Sequence, residues 1–202
     1  MIQCSEKGPA RFALTITDAL GTDAAAARIG TIQKRTLGLS NFTYLCIRDD
    51  LRVPDAFADI CGVASVLWEG GLILESEEPE SLSKGLLHLV GREPILHCNG
   101  CMDEATLLAR SFGCRIIGPA DSDADILDVG TSDMGECPDS IYRLRPLSKG
   151  ISVSVPAGEY GVSMAAVAVL SGADIIIADD MDEASCRLLD SMSSGRKVRG
   201  WE

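Results

Sequence analysis

The sequence predicts an α/β fold in which short buried strands alternate with helices, as in a β/α barrel. Apolar runs of strand length recur along the chain, amphipathic segments of helix length separate them, and glycine marks many junctions. Residues 172–178 show the pattern most clearly, with a glycine helix stop followed by a nearly all-apolar strand. Such a strand is buried on both faces, as parallel sheets covered by helices require.

The chain has 202 residues, fewer than the roughly 250 that are typical of a complete (β/α)8 barrel. We therefore predict a shortened or degenerate TIM-like barrel, with a doubly wound parallel sheet as the alternative. One barrel-like domain is expected over residues 1–195, followed by a basic tail over residues 196–202.

The N-terminal part predicts a small antiparallel element. Residues 11–17 alternate polar and apolar side chains, which is typical of a half-buried strand. Residues 27–32 are interpreted as its hairpin partner after a loose turn of glycine and aspartate.

Proline and glycine residues predict where the next helices begin and end. Pro54 opens a helix that Gly62 should end, and Gly113 should end another. Further strands are predicted at 41–47, 63–68, 72–74, 94–98, 114–117, 125–129, 151–155 and 175–178. Helices are predicted at 53–61, 80–90, 103–112, 160–170 and 182–192, and a long loop at 130–140.

Charge and composition narrow the classes of partner. Eighteen Lys and Arg against 30 Asp and Glu give a net charge of −12, which argues against a free-standing nucleic-acid binder. The N-terminus shows no export signal, and no apolar run reaches the ~18 residues of a membrane span. We expect a cytoplasmic protein without a membrane partner, whose eight cysteines are mostly reduced.

In both candidate folds the ligand site lies at the carboxyl ends of the strands. The catalytic candidates there are His97, Cys98 and Asp179. Cys98 and Cys101 form a C-x-x-C pair, which is interpreted first as two structural thiols and second as half a metal site or a redox dithiol. No second such pair occurs, so no metal site is predicted.

Other polar groups have competing interpretations. Asp180 and Asp182 are interpreted first as caps of the following helix and only second as catalytic residues. The candidates for contacting RNA are five basic residues, Arg143, Arg145, Arg196, Lys197 and Arg199. The nucleotide-hydrolase, dinucleotide and serine-hydrolase motifs are absent, so the cofactor stays unknown.

Several segments resemble the tRNA-guanine transglycosylase superfamily, and above all the transglycosylase-like barrel of archaeosine synthase. They are the Ala-Arg-Ile-Gly stretch within 12–32, the Gly-Leu-Leu-His and Pro-Ile-Leu motifs within 81–101, and residues 155–180. The sequence at 97–101 departs from the family's Asp-Ser-Gly-Gly-Phe-Gln motif, and the family's zinc cysteines are absent. The resemblance implies an archaeal tRNA-modification protein that has lost the standard chemistry.

The leading functional hypothesis is therefore tRNA modification together with a partner subunit, with tRNA itself as a candidate ligand. A second hypothesis is a small-molecule lyase, isomerase or transferase that uses Asp179, His97 and Cys98. A third is a non-catalytic subunit that docks a partner through an apolar patch. The sequence leaves open whether the protein is an enzyme and what its oligomeric state is.

Overall fold

A computed structural model describes residues 8–147 and 149–195. The strands are β1 (Arg11–Thr17), β2 (Phe42–Arg48), β3 (Gly71–Glu75), β4 (Ile95–His97), β5 (Arg115–Gly118), β6 (Ile126–Asp128), β7 (Gly150–Val155) and β8 (Ile175–Ala178). The helices are α1 (Thr22–Arg35), α2 (Pro54–Leu67), α3 (Pro79–Leu87), α4 (Met102–Phe112), α5 (Cys137–Leu144), α6 (Glu159–Ser171) and α7 (Glu183–Ser194). Short 3-10 turns cover Asp18–Leu20 and Arg145–Leu147.

The eight strands form one closed barrel in chain order, and every neighbouring pair is parallel. The predicted β/α barrel is thus confirmed, and the doubly wound alternative is wrong because β8 pairs with β1. The barrel is shortened between β5 and β6, which are joined by residues 119–125 without a helix. Each of the other connections carries one α-helix.

The predicted antiparallel element at the N-terminus is wrong. Residues 27–32 lie inside α1, and β1 pairs in parallel with β2 and β8. Ile29 and Ile32 are spaced by three residues and are both fully buried, which is the periodicity of a helix face.

Helix α2 continues through Gly62, so the strand predicted at 63–68 is wrong as well. A side chain at this position would meet His88, whose Nδ1 lies 3.4 Å from the place of a Cβ atom. Gly62 thus lies inside α2, where α2 contacts the end of α3, and it does not end the helix. Part of the predicted loop at 130–140 is helical too, since α5 begins at Cys137.

Two separate cores hold the barrel together. The outer core fills the space between the strands and the helices. The inner core, called here the apolar interior layer, consists of Ala13, Cys46, Ile73, Ile95, Ile117, Ile126, Ile175 and Ile177. Because alternate residues of a strand point to opposite faces, the next inward positions toward the carboxyl ends lie just above this layer.

Candidate functional site

A polar interior layer lies above the apolar one at the carboxyl ends of the strands. It consists of Thr15, Arg48, Glu75, His97, Asp128, Ser152, Ser154 and Asp179. The change from apolar to polar takes a single inward step, for example from Ile73 to Glu75 and from Ile95 to His97. This end of a parallel barrel is where ligands bind in enzymes of this architecture.

Arg48 links three strand ends. Its Nε donates to Oε1 of Glu75 at 3.0 Å, and its Nη1 lies 2.7 Å from Oδ1 of Asp179. Burial alone would lower the pKa of Arg48, but the two carboxylates outweigh burial and raise the pKa above its ordinary value. The guanidinium is therefore a permanent positive charge whose position is fixed by β3 and β8.

Glu75 is held in its ionised form. Burial raises the pKa of the Glu75 carboxyl, but His97 and Arg48 outweigh burial and lower the pKa to about 2. Nδ1 of His97 is 3.8 Å from Oε2 of Glu75, so the two attract each other when the imidazole is protonated. The thiol of Cys46 donates to the same oxygen at 3.4 Å.

His97 is almost completely buried, with 2% of its surface exposed, and neither ring nitrogen has a hydrogen-bond partner among the described residues. The hydroxyl oxygens of Thr15 and Ser154 lack partners in the same way. Buried polar groups are normally paired, because an unpaired one costs about 1–3 kcal/mol. These atoms are therefore available to a polar molecule that enters the barrel mouth.

Asp128 has the opposite electrostatic environment from Glu75. Burial raises the pKa of the Asp128 carboxyl, and the hydroxyl of Ser152, which donates to Oδ1 at 3.2 Å, only partly compensates. His97 and Glu75 both lie near enough to influence this carboxyl. The layer thus holds one carboxyl favoured as the ion and another pushed toward its neutral form.

A cavity of about 140 Å³ opens at the rim beside Arg48, Glu75 and His97. It is lined by Arg48, Asp49, Asp50, Arg52, Glu75, Ser76, Glu77, His97 and Asn99. All of these side chains are polar or charged. Its volume is close to the ~150 Å³ of a cavity that holds one six-membered ring, and because the cavity opens to solvent at the rim, a second fused ring can extend outward.

The cavity wall is fixed by short hydrogen bonds between loops. Asp18, at the end of β1, accepts the amides of Asp50 and Leu51 at 2.9 and 3.1 Å. The hydroxyl of Ser76 donates to Oδ2 of Asp49 at 2.7 Å. This part of the rim is therefore organised by the protein itself before any ligand binds.

Arg52, on the same rim, has a φ of +56°, in the left-handed region that residues with a Cβ atom rarely adopt. Its guanidinium pairs with Glu77 at 2.9 Å. Such strained backbone persists where the surrounding structure enforces it, and it concentrates at functional sites.

The structure brings together two of the three predicted catalytic residues. His97 and Asp179 belong to the polar interior layer and are connected through Glu75 and Arg48. Cys98 lies instead in the outer core, beside Cys101, because it follows His97 and faces the other way. A catalytic role of Cys98 next to His97 in the barrel mouth therefore has no support in the geometry.

The neighbouring acids have structural contacts. Asp180 pairs with Arg28 at 2.6 Å and with Arg35 at 2.8 Å, and it does not cap α7 as predicted. Burial raises the pKa of Asp180, but the two guanidinium groups outweigh it and lower the pKa. Asp182 is the helix cap, accepting the amide of Ser185 at 2.7 Å.

The candidate RNA contacts fall partly outside the described residues. Arg196, Lys197 and Arg199, with the rest of the predicted basic tail over 196–202, lie there. Arg143 is exposed on α5, and Arg145 donates to the carbonyl of Ser171 at 2.5 Å.

Sequence reasoning missed Arg48, Glu75 and Asp128. Each is a charged residue at the last position of its strand, two residues beyond an apolar interior side chain. A search for a charge two residues beyond a buried apolar strand position would have found all three.

Within 8–147 and 149–195, no group of three or more His, Cys, Asp or Glu side chains is arranged to hold a metal ion. In the same ranges, no helix combines the length and the apolar character needed to cross a bilayer.

The sequence matches no family model and no curated protein. The fold, however, is similar to solved dihydropteroate synthases. Against the 7,8-dihydropteroate synthase of Vibrio fischeri ES114 the TM-score is 0.70, with 9% identity over 94% of this chain and 95% of that one. Against the Thermus thermophilus enzyme the TM-score is 0.67, with 12% identity over 91% and 92% of the chains. The Coxiella burnetii enzyme in complex with pteroic acid gives 0.67, with 10% identity over 96% and 94%.

These similarities correct the resemblance drawn from the sequence. The structural relatives are consistently dihydropteroate synthases, and the short motifs that suggested tRNA-guanine transglycosylase and archaeosine synthase are misleading. The Ala-Arg-Ile-Gly segment, for instance, is part of α1 and not a returning strand. The predicted role in tRNA modification is therefore wrong, and what the likeness at this level of identity establishes is a TIM-barrel fold shared with dihydropteroate synthases.

Proposed function

We propose that this protein is an enzyme that acts on a small polar molecule at the carboxyl end of its barrel, where Glu75, His97 and Asp128 transfer protons. The supporting observation is the cluster of Arg48, Glu75, His97 and Asp128 at the barrel mouth, in which Arg48 binds Glu75 and the pKa values of the two carboxyls are shifted in opposite directions, down for Glu75 and up for Asp128. Carboxyls separated in this way divide the roles of ion and proton donor between them.

His97 interacts electrostatically with both carboxyls, and it acts to lower the pKa of each. Glu75, fixed by Arg48, lies 3.8 Å from Nδ1 of the imidazole. The ring also lines the cavity, so a bound molecule can reach it. A buried imidazole oriented by a carboxylate is a common arrangement for general acid–base catalysis.

The charge of the cavity indicates the charge of the substrate. Four carboxylates and two guanidinium groups line it, and both guanidinium groups are already paired with carboxylates. An anionic substrate would be repelled, whereas a neutral or cationic molecule rich in N–H groups would find acceptors. Given the cavity volume, we propose a compact ring compound.

Nitrogen heterocycles are the first ligand class to examine. Solved dihydropteroate synthases of this fold have been described with 7,8-dihydropteroate and with pteroic acid bound. The connection rests on analogy of fold. It agrees with the acceptors found here, because the amino and N–H edge of a pterin ring can donate to a carboxylate such as Glu75.

We propose the cytoplasm as the location. The seven cysteines of the described residues are all free thiols, which is usual in a reducing compartment.

Calorimetric titration with the unsubstituted pterin ring tests the proposal. We expect the wild-type protein to bind pterin and Glu75→Gln to bind it at least tenfold more weakly, because the amide loses the charge. Glu183→Gln is the matched control, because its carboxylate pairs with Arg187 on the surface of α7. If pterin, and related neutral or cationic heterocycles, fail to bind the wild type, or bind Glu75→Gln equally well, the assignment of this site is wrong.

A further inference from the structure

Two cysteines lie just beyond the end of β4 and face away from the barrel interior. Sγ of Cys98 is 2.8 Å from Sγ of Cys101, and the amide of Cys101 donates to Sγ of Cys98 at 3.1 Å. A disulfide bond is about 2.05 Å long, so the sulfurs need to approach by only roughly 0.8 Å more. Among the seven described cysteines, no other pair makes a sulfur–sulfur contact.

The backbone holds this pair from both sides. The amide of Cys98 donates to the carbonyl of Ile117, which ties it to the barrel, and Cys101 directly precedes α4. Only two residues, Asn99 and Gly100, join the two thiols. A C-x-x-C pair anchored in this way holds its two sulfurs in contact, which distinguishes it from thiols scattered in a core.

The two sulfurs differ in accessibility. Cys98 is buried with 1% of its surface exposed, whereas Cys101 is only partly buried. An external reagent therefore meets Cys101 first, and Cys98 lies behind it in position to displace that reagent. Accessible and buried thiols in this order are the usual arrangement of a reactive cysteine and its resolving partner.

We propose that Cys98 and Cys101 form a reversible thiol–disulfide site that reacts with low-molecular-weight disulfides. The Cys101 sulfur, as thiolate, attacks one sulfur of the external disulfide RSSR, forming a mixed disulfide and releasing one thiolate of R. The Cys98 sulfur then attacks Cys101, forming the Cys98–Cys101 bond and releasing the second thiolate. The two protons lost by the cysteines are taken up by these leaving groups, so one dithiol and one RSSR give one protein disulfide and two RSH.

The reaction is expected to depend on pH. Burial raises the pKa of the Cys101 thiol, and the hydrogen bond between the Cys101 and Cys98 side chains raises this pKa further. The reactive thiolate is therefore scarce at neutral pH, and the rate of oxidation should increase as the pH rises toward that pKa. In a reducing compartment such a pair stays reduced until disulfides accumulate.

Oxidised glutathione is the probe for the test. The native protein is incubated with it, free thiols are blocked with iodoacetamide, and tryptic peptides are weighed. Cleavage after Arg92 and Arg110 releases residues 93–110, which contain Cys98 and Cys101 and no other cysteine. We expect the disulfide form of this peptide, which is two hydrogen atoms lighter than the unmodified peptide, to outnumber the glutathionylated form by about tenfold or more. Reduced glutathione should restore the two free thiols.

Cys114 is the matched control, since it is also half-buried with a raised pKa and has only the carbonyl of Phe112 within reach of its sulfur. Its peptide, residues 111–115, should be found reduced or glutathionylated. In Cys98→Ser, we expect glutathione to accumulate on Cys101 because the resolving thiol is gone. The proposal is overturned if wild-type peptide 93–110 stays reduced, or if it accumulates only the mixed disulfide. This outcome does not depend on pterin binding.

Discussion

The apolar and the polar interior layers are built largely on the same strands, two residues apart, but their side chains have opposite chemical character. In the lower layer, isoleucines such as Ile73 and Ile126 fill the barrel and leave no polar group unpaired. In the upper layer, Glu75 and Asp128 occupy the next inward positions on those strands. Apolar packing is thus concentrated below, and the proposed chemistry lies above.

The largest effect on stability is expected in the apolar layer. Ile117 is fully buried there, and Ile117→Ala should lower the free energy of unfolding by about 2–5 kcal/mol through lost burial and the cavity left behind. Urea denaturation measures the change. Val66→Ala, at an exposed position of α2, is the control and should stay within about 0.5 kcal/mol. A loss below about 1 kcal/mol for Ile117→Ala would show that the layer is not tightly packed.

Acid should remove the stability that Glu75 contributes. Its pKa is about 2 in the folded protein against 4.5 ordinarily, so its contribution is complete above pH 4.5 and is lost as the pH falls from about 4.5 to 2. At ~1.4 kcal/mol per pKa unit, this amounts to about 3 kcal/mol. Urea denaturation at a series of pH values measures it. Glu75→Gln should lose correspondingly less over the same interval, and equal losses in the two proteins would contradict the role of Glu75.

Replacing His97 should separate stability from binding. His97→Leu removes two buried nitrogen atoms that have no hydrogen-bond partner among the described residues, but it also removes the attraction between His97 and Glu75. The two effects oppose each other, so the free energy of unfolding should change by less than about 1 kcal/mol. The same variant should lose the binding of pterin. Thermal unfolding and calorimetry on one preparation measure both quantities, and a large loss of stability with pterin binding unchanged would show that His97 serves mainly in packing.

The smallest effect is expected at Asp128. Because burial raises the pKa of this carboxyl, its contribution to stability is present at low pH and is lost as the pH rises through its value in the folded protein. Asp128→Asn should therefore be more stable than the wild type by up to about 1 kcal/mol at pH 7. The difference should vanish near pH 3, and a variant that is destabilised at pH 7 would contradict the assignment.

The sequence predicts the barrel much better than its site. Buried runs such as 175–178 are visible by composition alone, because each strand carries its own signal. The pairing of Arg48 with Glu75 exists only once β2 and β3 align in register, which places the two residues opposite each other. Residues 27 positions apart in the chain carry no local pattern that announces such a contact.

The errors in the helices have a different physical origin. The apolar content of residues 27–32 predicts a strand, although the spacing of Ile29 and Ile32 matches a helix. Gly62 predicts a helix end by its propensity, whereas in the fold it lies inside α2, where that helix contacts His88. In both cases tertiary packing decides what local propensity leaves open.

The connection between β5 and β6 has a consequence for protein engineering. Where the other connections carry a helix, residues 119–125 leave a surface groove of about 480 Å³, lined among others by Thr106, Ile116 and Lys149. The barrel closes without a helix at this place, so neither the apolar nor the polar interior layer requires one. A reporter peptide or an affinity handle inserted next to Asp123, whose side chain is fully exposed, would occupy space that the fold already leaves free.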